Sequence, residues 1–303
     1  MRYRHFNMLI YGLTIGVATA VASFNWAVDP YGLFHGDRGR TCVVHHNERM
    51  TKYLFAHRYI PENFDGLLIG SSISANWDTS QLHDFSVYNA SLSGGNISEG
   101  KLIAEKVIEH KPPRLLLMII YPYMTETFGR KTGNMVSGEY WGALGSHQLL
   151  LAYGSAIKTR LGWARQRYNA YGQDDFDPPK RLPGAPADTE DELRDFPVDE
   201  RAIAEYADLL EIARRAGVKI VGVIPPFDLA TWQSRQDAYQ AYFRRIKPLF
   251  RENELIIDFN APEYLSLRST PGNFTDGAHL SRNAAAELLS LLEARLKPLG
   301  PPS

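Results

Sequence analysis

From Phe64 onward, short apolar runs alternate with longer stretches in which apolar residues recur every three or four positions. The short runs are typical of buried strands, and the longer stretches are typical of helices that bury one face. Five runs predict strands, in chain order "FDGLLIGSS", "SVYNASLSGG", "RLLLMIIYP", "VKIVGVIPPF" and "LIIDFN". Helices are predicted at "NISEGKLIAEKVIEHKPP", "VDERAIAEYADLLEIARRAG", "SRQDAYQAYFRRIKPLFREN" and "SRNAAAELLSLLEARLKPLG".

This alternation predicts a parallel sheet with helices on both faces. We therefore predict an α/β fold, a three-layer α/β/α domain around a five-stranded parallel sheet, over residues 64–303. In such sheets, ligands bind at the carboxyl ends of the strands. The residues that directly follow each predicted strand are therefore the candidates for function.

The alternation is interrupted between Tyr123 and Pro197. The first part of this interval is rich in aromatic residues and has some helical spacing, and the second part is acidic and contains several prolines. So long an interval inside a compact domain is usually a functional insertion. We interpret residues 123–197 as a cap over the sheet edge that shapes a pocket.

The N-terminal residues predict a membrane segment. Arg2, Arg4 and His5 precede a largely uncharged run from Met8 to Val28, which is long enough to span a bilayer with its basic end in the cytoplasm. The run is either an uncleaved anchor or a signal peptide cut after Ala20-Val21-Ala22. We favour an anchor over residues 1–28, because apolar residues continue beyond that cleavage site. Either reading places the rest of the chain outside the cytoplasm, in the periplasm or the extracellular space. Residues 29–63 are predicted to be an irregular connector with a short helical piece near Met50 to His57.

Composition excludes some classes of function. The formal net charge of −1 gives no basic field for collecting phosphates, so nucleic acid is not an expected partner. The single cysteine, Cys42, excludes an intramolecular disulfide framework. We expect neither a metal nor another cofactor.

Three strand ends carry residues that form a nucleophilic triad in other enzymes. Ser72 follows the first strand, the stretch "NASLSGGN" contains the second strand end, and "FTDGAHLS" precedes the last helix. Asp276 and His279 are three positions apart, so their side chains can face the same side. A histidine can accept the proton of a serine while an aspartate orients the ring, and glycines let backbone N–H groups approach a developing oxyanion.

These stretches resemble the sequence blocks of the SGNH (GDSL-type) hydrolase superfamily, whose fold is flavodoxin-like. "IGSSIS" resembles the Gly-Asp-Ser-x-Ser block, with a serine in place of its aspartate, and matches Ser72 to the nucleophile. "NASLSGGN" resembles the second block and matches Gly94 to the oxyanion-hole glycine. The resemblance also implies that the backbone N–H of Ser72 is an oxyanion donor. "DGAHLS" resembles the terminal block and matches Asp276 and His279 to the catalytic pair. The resemblance spans about Phe64 to Pro298, apart from the insertion.

The third block of that family, Gly-x-Asn-Asp, is missing. Tyr121, Pro122 and Tyr123 occupy its place, so the asparagine that donates to the oxyanion must be replaced. Asn96, Tyr121 and Tyr123 are the candidates. In its altered blocks and its N-terminal apolar segment, the chain resembles the exported, membrane-tethered branch of the superfamily. This branch includes proteins of polysaccharide O-acetylation and teichoic-acid D-alanylation.

This branch implies an exported serine esterase or O-acyltransferase acting on a cell-envelope or extracellular polysaccharide. The implied partners are an acyl-ester donor, a glycan acceptor and a membrane-bound acyltransferase that supplies the acyl group. The alternative is a non-catalytic accessory protein that binds a glycan or a membrane-bound acyltransferase.

Overall fold

The computed structural model describes residues 2–36, 46–165, 167–175 and 196–300 of the 303-residue chain. Within these residues one sheet is formed, from β1 (Gly66–Ile69), β2 (Val87–Asn89), β3 (Leu115–Ile119), β4 (Lys219–Ile224) and β5 (Leu255–Asp258). Its spatial order is β2-β1-β3-β4-β5, and every neighbouring pair of strands is parallel. This is the doubly wound order of flavodoxin-like folds, so the predicted parallel sheet is confirmed.

The described helices are α1 (Arg2–Val28), α2 (Glu48–Phe55), α3 (Tyr59–Asn63), α4 (Ser72–Ala75), α5 (Ile97–His110), α6 (Ser137–Gly142), α7 (His147–Arg160), α8 (Glu200–Arg215), α9 (Leu229–Ile246), α10 (Leu265–Ser269) and α11 (Arg282–Leu296). Helix α5 packs against β1 and α8, and α8 packs against β4. Helix α11 packs against the turn that follows α4. Along the sheet, the step from β1 to β2 goes towards one edge, whereas the later steps go towards the other edge. Since crossovers between parallel strands are right-handed, the β1–β2 connection lies on the face of the sheet opposite to α5 and α8. Helices therefore cover both faces.

The central strands explain why the predicted runs are continuously apolar. All residues of β1 and β3 are buried. A strand that is covered on both faces has no solvent side, so it shows no alternation of polar and apolar residues. The register pairs Leu67 of β1 with Leu116 of β3, which aligns the carboxyl ends of the two strands.

Within the predicted connector 29–63, the short helical piece expected near Met50 to His57 is confirmed as α2, but the described residues from 46 onward are more regular than predicted. Helices α2 and α3 pack against α5 in the described part from residue 46. The side chains of Leu54, Phe55 and Tyr59 are at most 1% exposed, and the rings of Phe55 and Tyr59 lie 4.6 Å apart. Residues 46–63 therefore belong to the core. Their short aromatic stretches have too few turns for a strong helical period, which is why the pattern alone left most of them irregular.

Helix α1 is the described helix that is long and apolar enough to cross a membrane, over Tyr3–Val28. Its end is tied to the insertion, because Asn25 Nδ2 donates to the carbonyl of Leu144 at 2.9 Å and Tyr153 Oη donates to Asn25 Oδ1 at 2.9 Å. Helices α6 and α7 of the insertion thus lie beside α1. The part of the insertion at 167–175 instead reaches the carboxyl edge of the sheet, and residues 176–195 lie outside the described residues.

Candidate active site

Ser72 is the first residue of α4, immediately after the carboxyl end of β1. The chain turns at Gly70, where an added Cβ would lie 2.7 Å from the Ile119 side chain and 2.9 Å from Ser91 Oγ. Glycine is therefore needed there, because any side chain would push the turn away from the neighbouring strand ends. This close approach directs α4, and with it Ser72, to the edge of the sheet.

The three serines of "GSSIS" have different surroundings. Ser71 Oγ is buried and has no hydrogen-bond partner within the described residues. Ser74 Oγ lies 2.8 Å from Ser91 Oγ and is also buried. Ser72 Oγ lies 3.0 Å from His279 Nε2 and borders a cavity. Ser72 is therefore the serine of this turn that both meets a base and is accessible to a ligand.

Asp276 and His279 are held by a tight loop that precedes α11. Asp276 Oδ1 accepts the backbone N–H groups of Ala278, at 2.8 Å, and of His279, at 2.7 Å. Asp276 Oδ2 lies 2.8 Å from His279 Nδ1. The side chains of Asp276 and His279 thus face the same side, as predicted, and are joined in a closed ring of hydrogen bonds. This ring leaves His279 Nε2 directed at Ser72.

The charge of Asp276 is stabilised by this ring. Burial alone would raise the pKa of Asp276, but the hydrogen bonds from the side chain and backbone of His279 outweigh it and lower the pKa to about 2. The ionised carboxylate can only accept, so it selects the tautomer of His279 that carries its proton on Nδ1. Nε2 is then free of a proton and can accept one from Ser72 Oγ.

A cavity of about 220 Å³ opens in front of this pair. Its wall is formed by Ser72 and His279 together with Ala75, Asn76, Ser93, Arg167 and Asp174. The cavity therefore gives a small ligand direct access to the Ser72 hydroxyl.

Arg167 and Asp174 are site residues that the sequence reasoning missed. Arg167 Nε donates to Asp174 Oδ1 at 2.7 Å, and Nη2 donates to Oδ2 at 2.6 Å. Asp174 is 2% exposed, and its backbone N–H donates to the carbonyl of Ala75 at 2.8 Å. The hydrogen bonds to Asp174 raise the pKa of Arg167, so the guanidinium stays charged. The paired Arg167 and Asp174 therefore form a polar wall beside the Ser72 hydroxyl, for which the sequence carries no spacing signal.

Gly94 follows a residue of the cavity wall and has an unusual backbone conformation. Its φ angle is +62°, in the left-handed region that favours glycine. The adjacent Ser93 lines the cavity in front of Ser72, and the Tyr123 hydroxyl is 3.8 Å from the position that a Cβ on Gly94 would take. This arrangement is compatible with the sequence-based role of Gly94, which stays a prediction.

Asn96 has a different task from the predicted oxyanion donor. Its Oδ1 accepts the backbone N–H of Glu99 and so caps α5. Its Nδ2 donates to the carbonyls of Thr127, at 3.0 Å, and Gly129, at 2.9 Å. Because both amide hydrogens are used to hold this loop, Asn96 is a poor candidate for binding an oxyanion. The Asn-x-x-Glu spacing is typical of a helix N-terminus and was the available signal.

The other two candidates differ in their surroundings: Tyr121 packs beside Phe227, and the hydroxyl of Tyr123 lies near Gly94. Burial, and after it the charge of Asp276, raises the pKa of Tyr121 to about 12. Tyr121 packs against Phe227. The Tyr123 hydroxyl accepts a hydrogen bond from Lys131 Nζ at 3.1 Å, which leaves its own hydrogen to donate. Tyr123 is therefore the candidate that lies beside Gly94.

A second cavity of about 470 Å³ adjoins the one in front of Ser72 and His279. Asn76 lines both, and the second is also lined by Asp78, Tyr168, Asn169, Gln173, Asp175 and Arg282. These side chains offer amide donors, carbonyl and carboxylate acceptors and a phenol ring. Among the described residues, no cluster of three or more His, Cys, Asp or Glu side chains could hold a metal ion.

No family model matches the chain, and no curated protein matches it. Among solved structures it is similar to a GDSL-like lipase from Bacteroides thetaiotaomicron, at 10% identity and a TM-score of 0.45 over 83% of this chain and 98% of that one. It is also similar to the lipase/acylhydrolase from Enterococcus faecalis, at 14% identity and a TM-score of 0.41 over 79% and 98%. The acetyl xylan esterase AlAXEase is a third, at 11% identity and a TM-score of 0.42 over 76% and 99%.

Proposed function

We propose that this chain is a membrane-anchored serine acyl-ester enzyme, an esterase or an O-acyltransferase, that acts through Ser72, His279 and Asp276. The observation that carries this proposal is the continuous chain of hydrogen bonds from Ser72 Oγ through the His279 ring to Asp276. The distances of 3.0 and 2.8 Å along this chain are within the reach that proton transfer requires. The adjoining cavity gives an ester access to the hydroxyl.

In the first half-reaction, Ser72 Oγ attacks the carbonyl carbon of the acyl donor while His279 Nε2 takes the hydroxyl proton. The tetrahedral intermediate breaks its bond to the leaving oxygen, which receives that proton from His279. The product is an acyl ester on Ser72, and Asp276 stabilises the imidazolium that forms during the transfer.

In the second half-reaction, His279 takes a proton from the acceptor hydroxyl as that oxygen attacks the acyl-enzyme. The ester bond to Ser72 then breaks, and the proton returns to Ser72 Oγ. Water as acceptor gives an esterase, and a polysaccharide hydroxyl gives an O-acyltransferase.

The oxyanion would be bound by the backbone N–H of Ser72 and that of Gly94. The first N–H groups of a helix have no partner within that helix, which suits Ser72 at the start of α4. The Tyr123 hydroxyl lies beside Gly94 and has a hydrogen to donate, which supports Tyr123 as the third donor, in place of the missing asparagine.

The cavity next to the catalytic one supports a glycan as acceptor. Its amides and carboxylates match the hydroxyls of a sugar. Asn76 connects the two cavities, so a sugar bound in the larger one would present a hydroxyl toward Ser72. Helix α1 would hold the enzyme at the membrane, where the resemblance places the acyl-supplying acyltransferase.

Labelling with a fluorophosphonate probe tests the nucleophile. We expect the parent protein to be labelled and Ser72→Ala to lose labelling. Ser71→Ala is the matched control, because it removes a neighbouring buried hydroxyl that makes no hydrogen bond within the described residues. An unlabelled parent would contradict the proposal and favour a non-catalytic accessory protein.

Transfer is tested with a chromogenic acetyl ester in the presence and absence of an oligosaccharide. For an O-acyltransferase we expect the mass of the sugar to increase by an acetyl group only with active enzyme. Acetate release that is unaffected by the sugar, with no gain in its mass, would contradict transfer and leave an esterase.

A further inference from the structure

Exposed apolar side chains are concentrated in one part of the insertion. Outside α1, the large hydrophobic side chains that are exposed within the described residues all lie between Tyr123 and Trp163, with the exception of Leu265. The most exposed are Trp163, at 76%, Leu150, at 72%, and Trp141, at 69%. A patch of this kind on a folded protein indicates an interaction surface.

Three of these side chains, on α7 and at the residue that follows it, form a stripe. Leu150, Ile157 and Leu161 are separated by seven and four residues, which are two turns and one turn of a helix. Leu149 and Ala152, which lie about 100° and 160° from Leu150 in projection down the helix axis, are buried. The stripe is therefore a second apolar face of the same helix, additional to the one that packs inward.

The charges around the stripe have one sign. Lys158 and Arg160 lie about 80° to either side of Leu150 in projection down the helix axis. No aspartate or glutamate occurs from Tyr140 to Arg165. We call residues 140–165 the interfacial segment. It carries a tryptophan near each end, basic residues beside an apolar stripe and no acidic residue, which together are typical of helices that lie in the headgroup region of a bilayer.

The interfacial segment is fixed to the outer end of α1. Asn25 is hydrogen-bonded to Leu144 and Tyr153, and the rings of Phe24 and Tyr153 lie 6.0 Å apart. Between Val21 and α7 lies an apolar cavity of about 920 Å³. Since the basic end of α1 is at the opposite terminus, the interfacial segment lies at the level where the helix would leave the membrane.

We propose that the interfacial segment is seated in the outer surface of the same bilayer that α1 spans. Leu150, Ile157 and Leu161 would contact acyl chains, and Lys158 and Arg160 would contact anionic lipid phosphates. The apolar cavity beside α1 would be filled by a lipid chain. This inference rests on the membrane placement of α1 in the proposed function. It makes α7 a second, laterally lying contact that fixes the orientation of the domain on the membrane.

Spin-label accessibility in vesicles tests this placement. The full chain with Cys42→Ser receives one new cysteine at Leu150 or Ile157, both of which are exposed and can accept a label without repacking. The protein is reconstituted into vesicles of phosphatidylcholine and phosphatidylglycerol, with no other protein present. Leu13→Cys in α1 is the reference for lipid exposure, and Leu265→Cys, an exposed leucine on α10, is the matched control for water exposure.

We expect labels at 150 and 157 to collide with oxygen, which concentrates in lipid, and to be protected from a water-soluble nickel chelate, as the label at 13 is. The label at 265 should show the reverse. Labels at 150 and 157 that behave like the one at 265 would overturn the proposal and favour a protein partner on this surface. A label at 13 that is open to the chelate would also overturn the proposal, because it would show that α1 does not span the bilayer. Ester hydrolysis by the same samples tests the catalytic proposal separately.

Discussion

Replacing Asp276 with asparagine alters the proton on His279 while preserving the loop that holds it. Asp276 Oδ1 accepts two backbone N–H groups, at 2.8 and 2.7 Å, and an asparagine carbonyl can accept both in the same place. The asparagine nitrogen then takes the position of Oδ2, 2.8 Å from His279 Nδ1. Because that nitrogen donates, Nδ1 must accept, and the ring proton moves to Nε2.

The moved proton then faces Ser72 Oγ across 3.0 Å, so His279 can no longer accept the serine proton. The corresponding asparagine substitution in serine proteases lowers kcat by about 10⁴-fold. We expect a loss of similar size here, which corresponds to about 5 kcal/mol of transition-state stabilisation. KM should change little, because the cavity wall is unaltered.

The assay is steady-state hydrolysis of p-nitrophenyl acetate, together with the rate of fluorophosphonate labelling. Asp228→Asn is the matched control, since Asp228 also accepts two backbone N–H groups, from Ala230 and Thr231, and aspartate and asparagine cap helices equally well. We expect the control to keep the parent rate. An Asp276→Asn protein that hydrolyses the ester as fast as the control would refute the orienting role of Asp276.

Four further outcomes follow from the structure. Tyr123→Phe should lower kcat by about 10²–10³-fold in ester hydrolysis if its hydroxyl binds the oxyanion, and an unchanged kcat would exclude it. Gly70→Ala should destabilise the fold by about 1–3 kcal/mol through overpacking at the strand end, measured by urea denaturation. Arg167→Gln should cost about 1–3 kcal/mol in the same assay, because it leaves buried Asp174 with unpaired acceptors, and Arg167→Lys should restore part of that loss. Since the folded-state pKa of Asp276, about 2, is below its ordinary value of 3.8, its contribution to stability is complete above about pH 4 and is lost as the pH falls toward 2. Asp276→Asn should remove that pH dependence.

The sheet was predictable because its strands leave a strong signal. A strand such as Leu115–Ile119, buried on both faces, must be apolar at every position, and this is visible without knowledge of the fold. The strand-end rule also put Ser72 and His279 at one edge of the sheet, although 207 residues separate them. The hydrogen bond between them depends on the loop around Asp276, whose backbone geometry the pattern does not specify.

The wall of the site was not predictable for a different reason. Arg167 and Asp174 belong to a segment with no helical or strand period, and they reach the site through a backbone hydrogen bond from Asp174 to Ala75, far away in sequence. Such a contact is set by tertiary packing, which leaves no local mark on the residues involved. For Asn96, in contrast, the sequence did carry a signal for its role as the cap of α5. That signal competed with the motif resemblance, which suggested a role as an oxyanion donor.

The central claim, that Ser72 carries the acyl group, is tested most directly by trapping the acyl-enzyme. The protein is mixed briefly with p-nitrophenyl acetate, quenched in acid, digested, and the acetylated residue identified by mass spectrometry. We predict one acetyl group on Ser72, retained in Ser71→Ala and absent from Ser72→Ala. Turnover of the ester with the acetyl group on another residue, or with none on Ser72, would contradict the account.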